Sequence, residues 1–210
     1  MSFITMKPFR GLLAAATVVV GLSASAALAA PEIGKMAPDF VATNTKGEAV
    51  KLSELRGKTV ILEWTNHGCP YVQKHYGTGN MQALQQQAQK DGIVWLSIIS
   101  SAPGTQGYVK AAKADELTTS RKALPASVVL DPEGKIGRLY DARTTPHMYI
   151  ITPDGKLAYK GAIDDKPTAR YSDVKTANNY VSNALKLIQA GKAVDPAITR
   201  AYGCSVKYAS

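Results

Sequence analysis

Two apolar runs dominate the hydrophobic pattern of the chain, Thr59–Thr65 (TVILEWT) and Ile93–Ile99 (IVWLSII). Neither alternates strictly with polar residues, so each predicts a strand covered on both faces, as in a sheet between helical layers. The distance between them allows a crossover helix, which makes a parallel β-α-β unit the expectation. That helix is predicted from Pro70 onward, broken at Gly77-Thr78-Gly79-Asn80 and resumed over Met81–Lys90, a stretch of good helix formers. A weaker helical pattern spans Gln106–Leu117, with Tyr108, Val109, Ala112 and Leu117 on its buried side. Ser127–Asp131 (SVVLD) reads as a further strand. Met148–Ile151 and Leu157–Lys160 flank Pro153-Asp154-Gly155, a hairpin signal.

Towards the N-terminus, Ala49–Leu52 predicts a short edge strand, and Ser53 can cap one helical turn closed by Gly57. Val174, Ala177, Val181, Ala184, Leu185 and Ile188 recur at helical spacing over Asp173–Gln189. From about residue 191 to 210 no periodicity remains, so a tail is expected there. Strand, helix, strand, helix, strand, hairpin and closing helix together predict an α/β sandwich around a mixed sheet.

The first thirty residues do not fit that plan. Lys7 and Arg10 precede the apolar stretch Gly11–Leu22, and Ala27-Leu28-Ala29 follows in the pattern a signal peptidase cuts. The apolar stretch is too short for a membrane span, which needs roughly 20 residues. A signal peptide over 1–30 is therefore expected, leaving a domain over 31–210 that is periplasmic or secreted. No later stretch is long enough to span a membrane. At 45% hydrophobic and 20% charged, the chain has the composition of a globular domain. The formal charge is +9, but the basic residues never form a run of four, which speaks against a nucleic-acid partner.

Two cysteines, Cys69 and Cys204, exclude a disulfide-dense scaffold and a four-cysteine zinc site. Cys69 lies where the first strand run turns into a helix, in Asn66-His67-Gly68-Cys69-Pro70. Pro70 suits a first helical position, which places the Cys69 thiol against unsatisfied N–H groups and the positive end of the helix dipole. Both favour thiolate, as would a protonated His67 nearby. No glycine-rich phosphate loop, nucleophile elbow or H-E-x-x-H motif is present, and no cofactor is expected.

This turn, with GKMAPDF before it, LSELRGKTVILEW leading in, and Thr144-Thr145-Pro146-His147 downstream, resembles the redoxin branch of the thioredoxin superfamily, the alkyl hydroperoxide reductase/thiol-specific antioxidant family. The resemblance covers roughly residues 33–190. It implies a thioredoxin-like three-layer sandwich and an oxidoreductase whose redox-active nucleophile is Cys69. It also implies that Pro146 is cis and faces Cys69, and that Thr145 and Pro146, with Pro70 and Tyr71, line the substrate site. Val72 stands where the superfamily places its second turn cysteine, and Leu62 and Asn66 stand where peroxiredoxins place a proline and a threonine. The resemblance is thus to a peroxiredoxin-like branch with one turn cysteine, implying thiol–disulfide exchange or slow, antioxidant-type peroxide reduction. The partners implied are a protein or small-molecule disulfide, or a hydroperoxide, and a thiol reductant.

For Cys204 three readings stand: a resolving thiol for Cys69, a static bridge pinning the tail, or no meeting of the two. The alternative function is binding, either of copper through Cys69, His67 and His147, or of a protein partner on the same fold.

Overall fold

The computed structural model describes residues 1–3 and 30–209, so positions 4–29 of the expected leader lie outside the described residues. Seven strands form the main sheet: β1 (Val41–Asn44), β2 (Ala49–Lys51), β3 (Val60–Trp64), β4 (Val94–Ile99), β5 (Ser127–Leu130), β7 (His147–Ile151) and β8 (Leu157–Gly161). Their order across the sheet is β2-β1-β5-β4-β3-β7-β8. β3, β4 and β5 run parallel to one another, and the remaining pairs are antiparallel, so the sheet is mixed.

Both faces of the sheet are covered, which is why β3 and β4 carry apolar side chains without a polar alternation. On one face Ile61, Trp95, Met148, Ile150 and Tyr159 pack under three helices, α1 (Pro70–Gly77), α2 (Asn80–Lys90) and α5 (Tyr180–Gln189). On the other face Leu62, Trp64, Leu96, Ile98, Val129 and Tyr149 pack with Phe40, Leu52 and Ile136, the last from α4 (Lys135–Leu139). This is the thioredoxin-like three-layer sandwich that the sequence resemblance implies. Among the described residues no helix is long and apolar enough to cross a membrane.

Several local expectations need correction. The helix expected from Gln106 begins at Ala111, as α3 (Ala111–Ser120), and Ala112 is exposed while Ala114 is buried. The cause is Gly107, whose backbone at φ 93° lies so close to Asn66 and Ser101 that a Cβ there would sit 2.5 Å from the Asn66 side chain. That packing holds 106–110 as a loop. The closing helix is split into a 3-10 turn (Tyr171–Thr176) and α5, because the Asn179 side chain accepts from Ser182 N–H at 2.9 Å and starts a new helix. Ala177 lies in the break. Ser53 does not cap the turn Leu52–Leu55; its own N–H donates to Asp39 at 2.9 Å.

β1 and α4 were not foreseen, and neither was a small second sheet. In it β6 (Thr144–Thr145) pairs antiparallel with β9 (Cys204–Ser205), Thr145 opposite Cys204. Both strands are only two residues long, with no periodicity to read.

Candidate active site

β3 ends at Trp64, and the chain turns through Thr65–Gly68 into α1. The turn is fixed by its own polar groups: Asn66 Oδ1 accepts from Gly68 N–H at 2.8 Å, and the Cys69 N–H donates to Asn66 O at 3.0 Å. Gln106 Nε2 donates to Gly68 O at 3.0 Å and holds the turn from outside. Cys69 is the N-cap of α1 in extended conformation, with Pro70 as the first helical residue. The thiol therefore lies where the first N–H groups of the helix are unsatisfied.

Cys69 has 0% exposure. Its S–H donates to the carbonyl of Thr145 at 3.1 Å, and its sulfur accepts from the N–H of Cys204 at 3.4 Å. The Thr145–Pro146 peptide is cis. Burial alone pushes the Cys69 thiol up, but hydrogen bonds from the Cys204 thiol, the Val72 N–H, Thr145 and the Cys204 N–H outweigh it, and Cys69 titrates below the ordinary thiol range. Cys204 moves the opposite way. Burial, the hydrogen bond to Cys69 and repulsion from a charged Cys69 hold its proton on. Both thiols are free. Of the three readings of Cys204, the one in which the two cysteines never meet is excluded.

The other sequence-derived residues divide. Thr145 is buried beside the sulfur, Pro70 is exposed at the helix start, and the half-buried ring of Tyr71 lies 5.8 Å from that of Tyr202. Val72 is fully buried in the same apolar cluster as Cys69. His67 gives no positive charge: partial burial, then Arg121 and Lys113, lower its pKa, so it is neutral at pH 7. His147 is buried, its ring centre 4.6 Å from that of Tyr149 at a tilt of 41°, with Nδ1 3.2 Å from the Tyr149 hydroxyl. Burial pushes its pKa down to about 4. Cys69, His67 and His147 do not converge as the copper reading requires. Among the described residues no three His, Cys, Asp or Glu side chains are placed to hold a metal ion.

Two buried polar clusters escaped the sequence analysis. Glu63, in the middle of β3, is fully buried and accepts from Trp95 Nε1 and Ser97 Oγ at 2.8 Å each, with Tyr76 and Gln85 completing the shell. At the last turn of α1, Lys74 and His75 meet Asp164 around the hydroxyl of Tyr202. Lys74 Nζ lies 3.8 Å from Asp164 and donates to Lys166 O at 2.8 Å. Burial lowers the pKa of Lys74, partly offset by Asp164, and pushes His75 down to about 3. An acidic residue inside the run TVILEWT was the available signal for Glu63. Nothing in the sequence pairs Lys74 with Tyr202.

Residues 33–160, more than half of the chain, match the AhpC/TSA family. The chain belongs to that family. It is 27% identical over 124 residues to the thiol-disulfide oxidoreductase ResA of Bacillus subtilis, covering 59% of this chain and 64% of the relative. The AhpC/TSA chain thus spans just under two thirds of that relative's length. A ResA of Bacillus anthracis is 28% identical over 126 residues, 60% of this chain and 67% of the relative. Among solved structures, an uncharacterized conserved protein from Geobacillus kaustophilus superposes with a TM-score of 0.70 at 22% identity, covering 85% of this chain and 93% of that one. A putative thiol:disulfide interchange protein DsbE from Chlorobium tepidum gives 0.52 at 24% identity, over 62% and 85%. These likenesses show the fold.

Proposed function

We propose that the protein is a thiol-disulfide oxidoreductase in which Cys69 is the nucleophile and Cys204 the resolving thiol. The observation that carries this reading is the contact between the two, 135 positions apart, with a Cys204 N–H aimed at the Cys69 sulfur. A low-pKa thiol at a helix N-terminus supplies the attacking thiolate. The thiolate attacks one sulfur of a substrate disulfide, forming a mixed disulfide on Cys69 and expelling the other sulfur as a thiolate. Loss of the negative charge and of the accepting sulfur removes two of the causes that hold the proton on Cys204. Cys204 then loses its proton and attacks the Cys69 sulfur, closing the Cys69–Cys204 disulfide and releasing the second substrate thiolate. One substrate disulfide becomes two thiols, and the protein dithiol becomes a disulfide. An external thiol reductant returns it to the dithiol.

Thr145, Pro146, Pro70 and Tyr71 form the walls at which the substrate disulfide meets the sulfur. Reduction of a hydroperoxide at the same thiol is a slow side activity. Asn66, where peroxiredoxins hold a threonine, is engaged with Gly68 N–H and Gln106 O instead of facing the sulfur. The leader sequence supports a periplasmic or secreted location.

The test is a disulfide-reduction assay with intact-mass analysis. Cys69→Ser abolishes turnover, and Cys204→Ser accumulates substrate adducts on Cys69. A wild-type protein that reduces neither disulfides nor hydroperoxides overturns the reading. A Cys204→Ser protein that turns over normally leaves Cys69 as nucleophile and removes Cys204 from the mechanism.

A further inference from the structure

The C-terminal segment that brings Cys204 to Cys69 also covers it. Cys69 has no exposed surface, and within the described residues the edge of β6 pairs only with β9. The segment is held at several places. Ahead of the site, Thr199 N–H donates to Lys160 O at 3.1 Å. Over the site, the Tyr202 hydroxyl enters the buried cluster of Lys74, His75 and Asp164, and its ring lies against Tyr71. Beyond it, Val206 N–H donates to Arg143 O at 3.0 Å, Ala102 N–H to Lys207 O at 2.7 Å, and the Tyr208 hydroxyl to Ala142 O at 2.6 Å. Gly203 makes the close approach. A Cβ on it would lie 2.0 Å from the carbonyl oxygen of Thr145, and its φ of 136° is one that side chains rarely adopt.

We propose that residues 201–209 are a displaceable strap that closes the Cys69 site, anchored by the Tyr202 hydroxyl and seated through Gly203, so that bulky partners reach the sulfur only when the strap lifts. The same segment has two jobs. Seated, it holds Cys204 ready to resolve; lifted, it frees both the sulfur and the unpaired edge of Thr144–Thr145 for an extended segment of a protein disulfide. Its fastenings are a two-residue ladder, the Tyr202 hydroxyl and ring, and hydrogen bonds at its far end, all local to the segment, so it can open without unfolding the sheet beneath. The inference rests on Cys69 being the reactive thiol, as in the proposed function.

Its test reads accessibility and not turnover. In a full-length Cys204→Ser background Cys69 is the one thiol, and its modification by iodoacetamide is compared with that by a polyethylene-glycol maleimide. With the strap seated, the bulky reagent is disfavoured relative to the small one, by more than for a free cysteine peptide. Gly203→Val prevents seating, and Tyr202→Phe removes the anchor while keeping the ring. Each is expected to raise the bulky rate at least about tenfold, Tyr202→Phe through lost hydrogen bonds and Gly203→Val through its clash with Thr145 O, with a smaller change for iodoacetamide. Circular dichroism and denaturant midpoints check folding. If Gly203→Val does not fold, Tyr202→Phe and Tyr208→Ala, the latter at the far end of the strap, carry the test. A bulky-to-small rate ratio equal to that of a free cysteine peptide, or one unchanged in the folded variants, overturns the strap. Failure of wild-type disulfide reduction with the ratio still shifted overturns the proposed activity and leaves the strap standing.

Discussion

The N–H of Cys204 donates to the sulfur of Cys69 over 3.4 Å, although neither cysteine is bonded to the other. What holds them together is the pairing of Thr145 with Cys204, which fixes the backbone of the second cysteine over the first. The two thiols therefore share one titration problem: whichever loses its proton first is stabilised by the other. Hydrogen bonds from the Cys204 thiol, the Val72 N–H, Thr145 and the Cys204 N–H decide in favour of Cys69.

The pH profile of alkylation should separate the two. Cys69 is expected to react with a midpoint below the free-thiol value of about 8.5, and Cys204 above it. Cys204→Ala removes one donor to the thiolate and is expected to raise the Cys69 midpoint. Coincident midpoints for the two cysteines in wild type would show that the contact does not order their ionisation.

Val72 is buried in the same apolar cluster as Cys69 and lies three residues on along the helix that Cys69 caps, so a thiol on its side chain starts near that sulfur. In a Cys204→Ser background, Val72→Cys is expected to release the substrate adduct that the single variant accumulates. Intact mass then finds a new intramolecular disulfide in place of the adduct. Persistence of the adduct in the double variant would place residue 72 out of reach.

Glu63 is a buried carboxylate surrounded by donors. Glu63→Gln replaces one acceptor oxygen with an NH2 facing those donors, and is expected to destabilise by about 2–3 kcal/mol, the cost of unsatisfied buried polar groups. Chemical denaturation at pH 7 measures it. A loss below about 0.5 kcal/mol would mean that the cluster rearranges to accept the amide.

His75 and His147 are buried neutral, with pKa values pushed to about 3 and about 4, both primarily by burial. Unfolded histidine titrates near 6.5, so between that value and the folded pKa the unfolded chain binds more protons than the folded one. Stability from these residues is complete above about pH 6.5 and falls as pH drops through the window. By pH 4.5 the loss is expected to be about 2.5 kcal/mol for each histidine. Denaturant midpoints at pH 7 and 4.5 test this, and His147→Gln is expected to remove roughly half of the difference. A midpoint independent of pH over that range would contradict neutral burial of both rings.

The interior strands, the broken crossover helix and the hairpin were legible because each rests on a local pattern that burial on two faces imposes. Thr59–Thr65 could carry apolar residues at successive positions only if both faces of the sheet were covered, and they are. Where the pattern came from elsewhere in the chain it misled. The 106–117 stretch has helical spacing, but Gly107 is pressed against Asn66 and Ser101, and the helix waits until Ala111. Asn179 supplied a cap inside what read as one continuous helix.

Cys69 was legible as a candidate because its activation is local: a strand end, a turn, a proline and a helix start lie within a few residues of one another. Cys204 was visible only as a second thiol in a tail without periodicity. Its two-residue strand carries no repeat, and its partner Thr145 lies 59 positions earlier in the chain. Lys74 and Tyr202 are a similar case, since an exposed lysine and a buried one look alike in sequence until the chain closes around them. Short-range order thus marked Cys69 as the candidate. The contact of Cys204 with it, and the course of the segment that carries Cys204 there, were decided by long-range closure, because a two-residue ladder and a shared hydroxyl exist only once the sheet has brought their elements together.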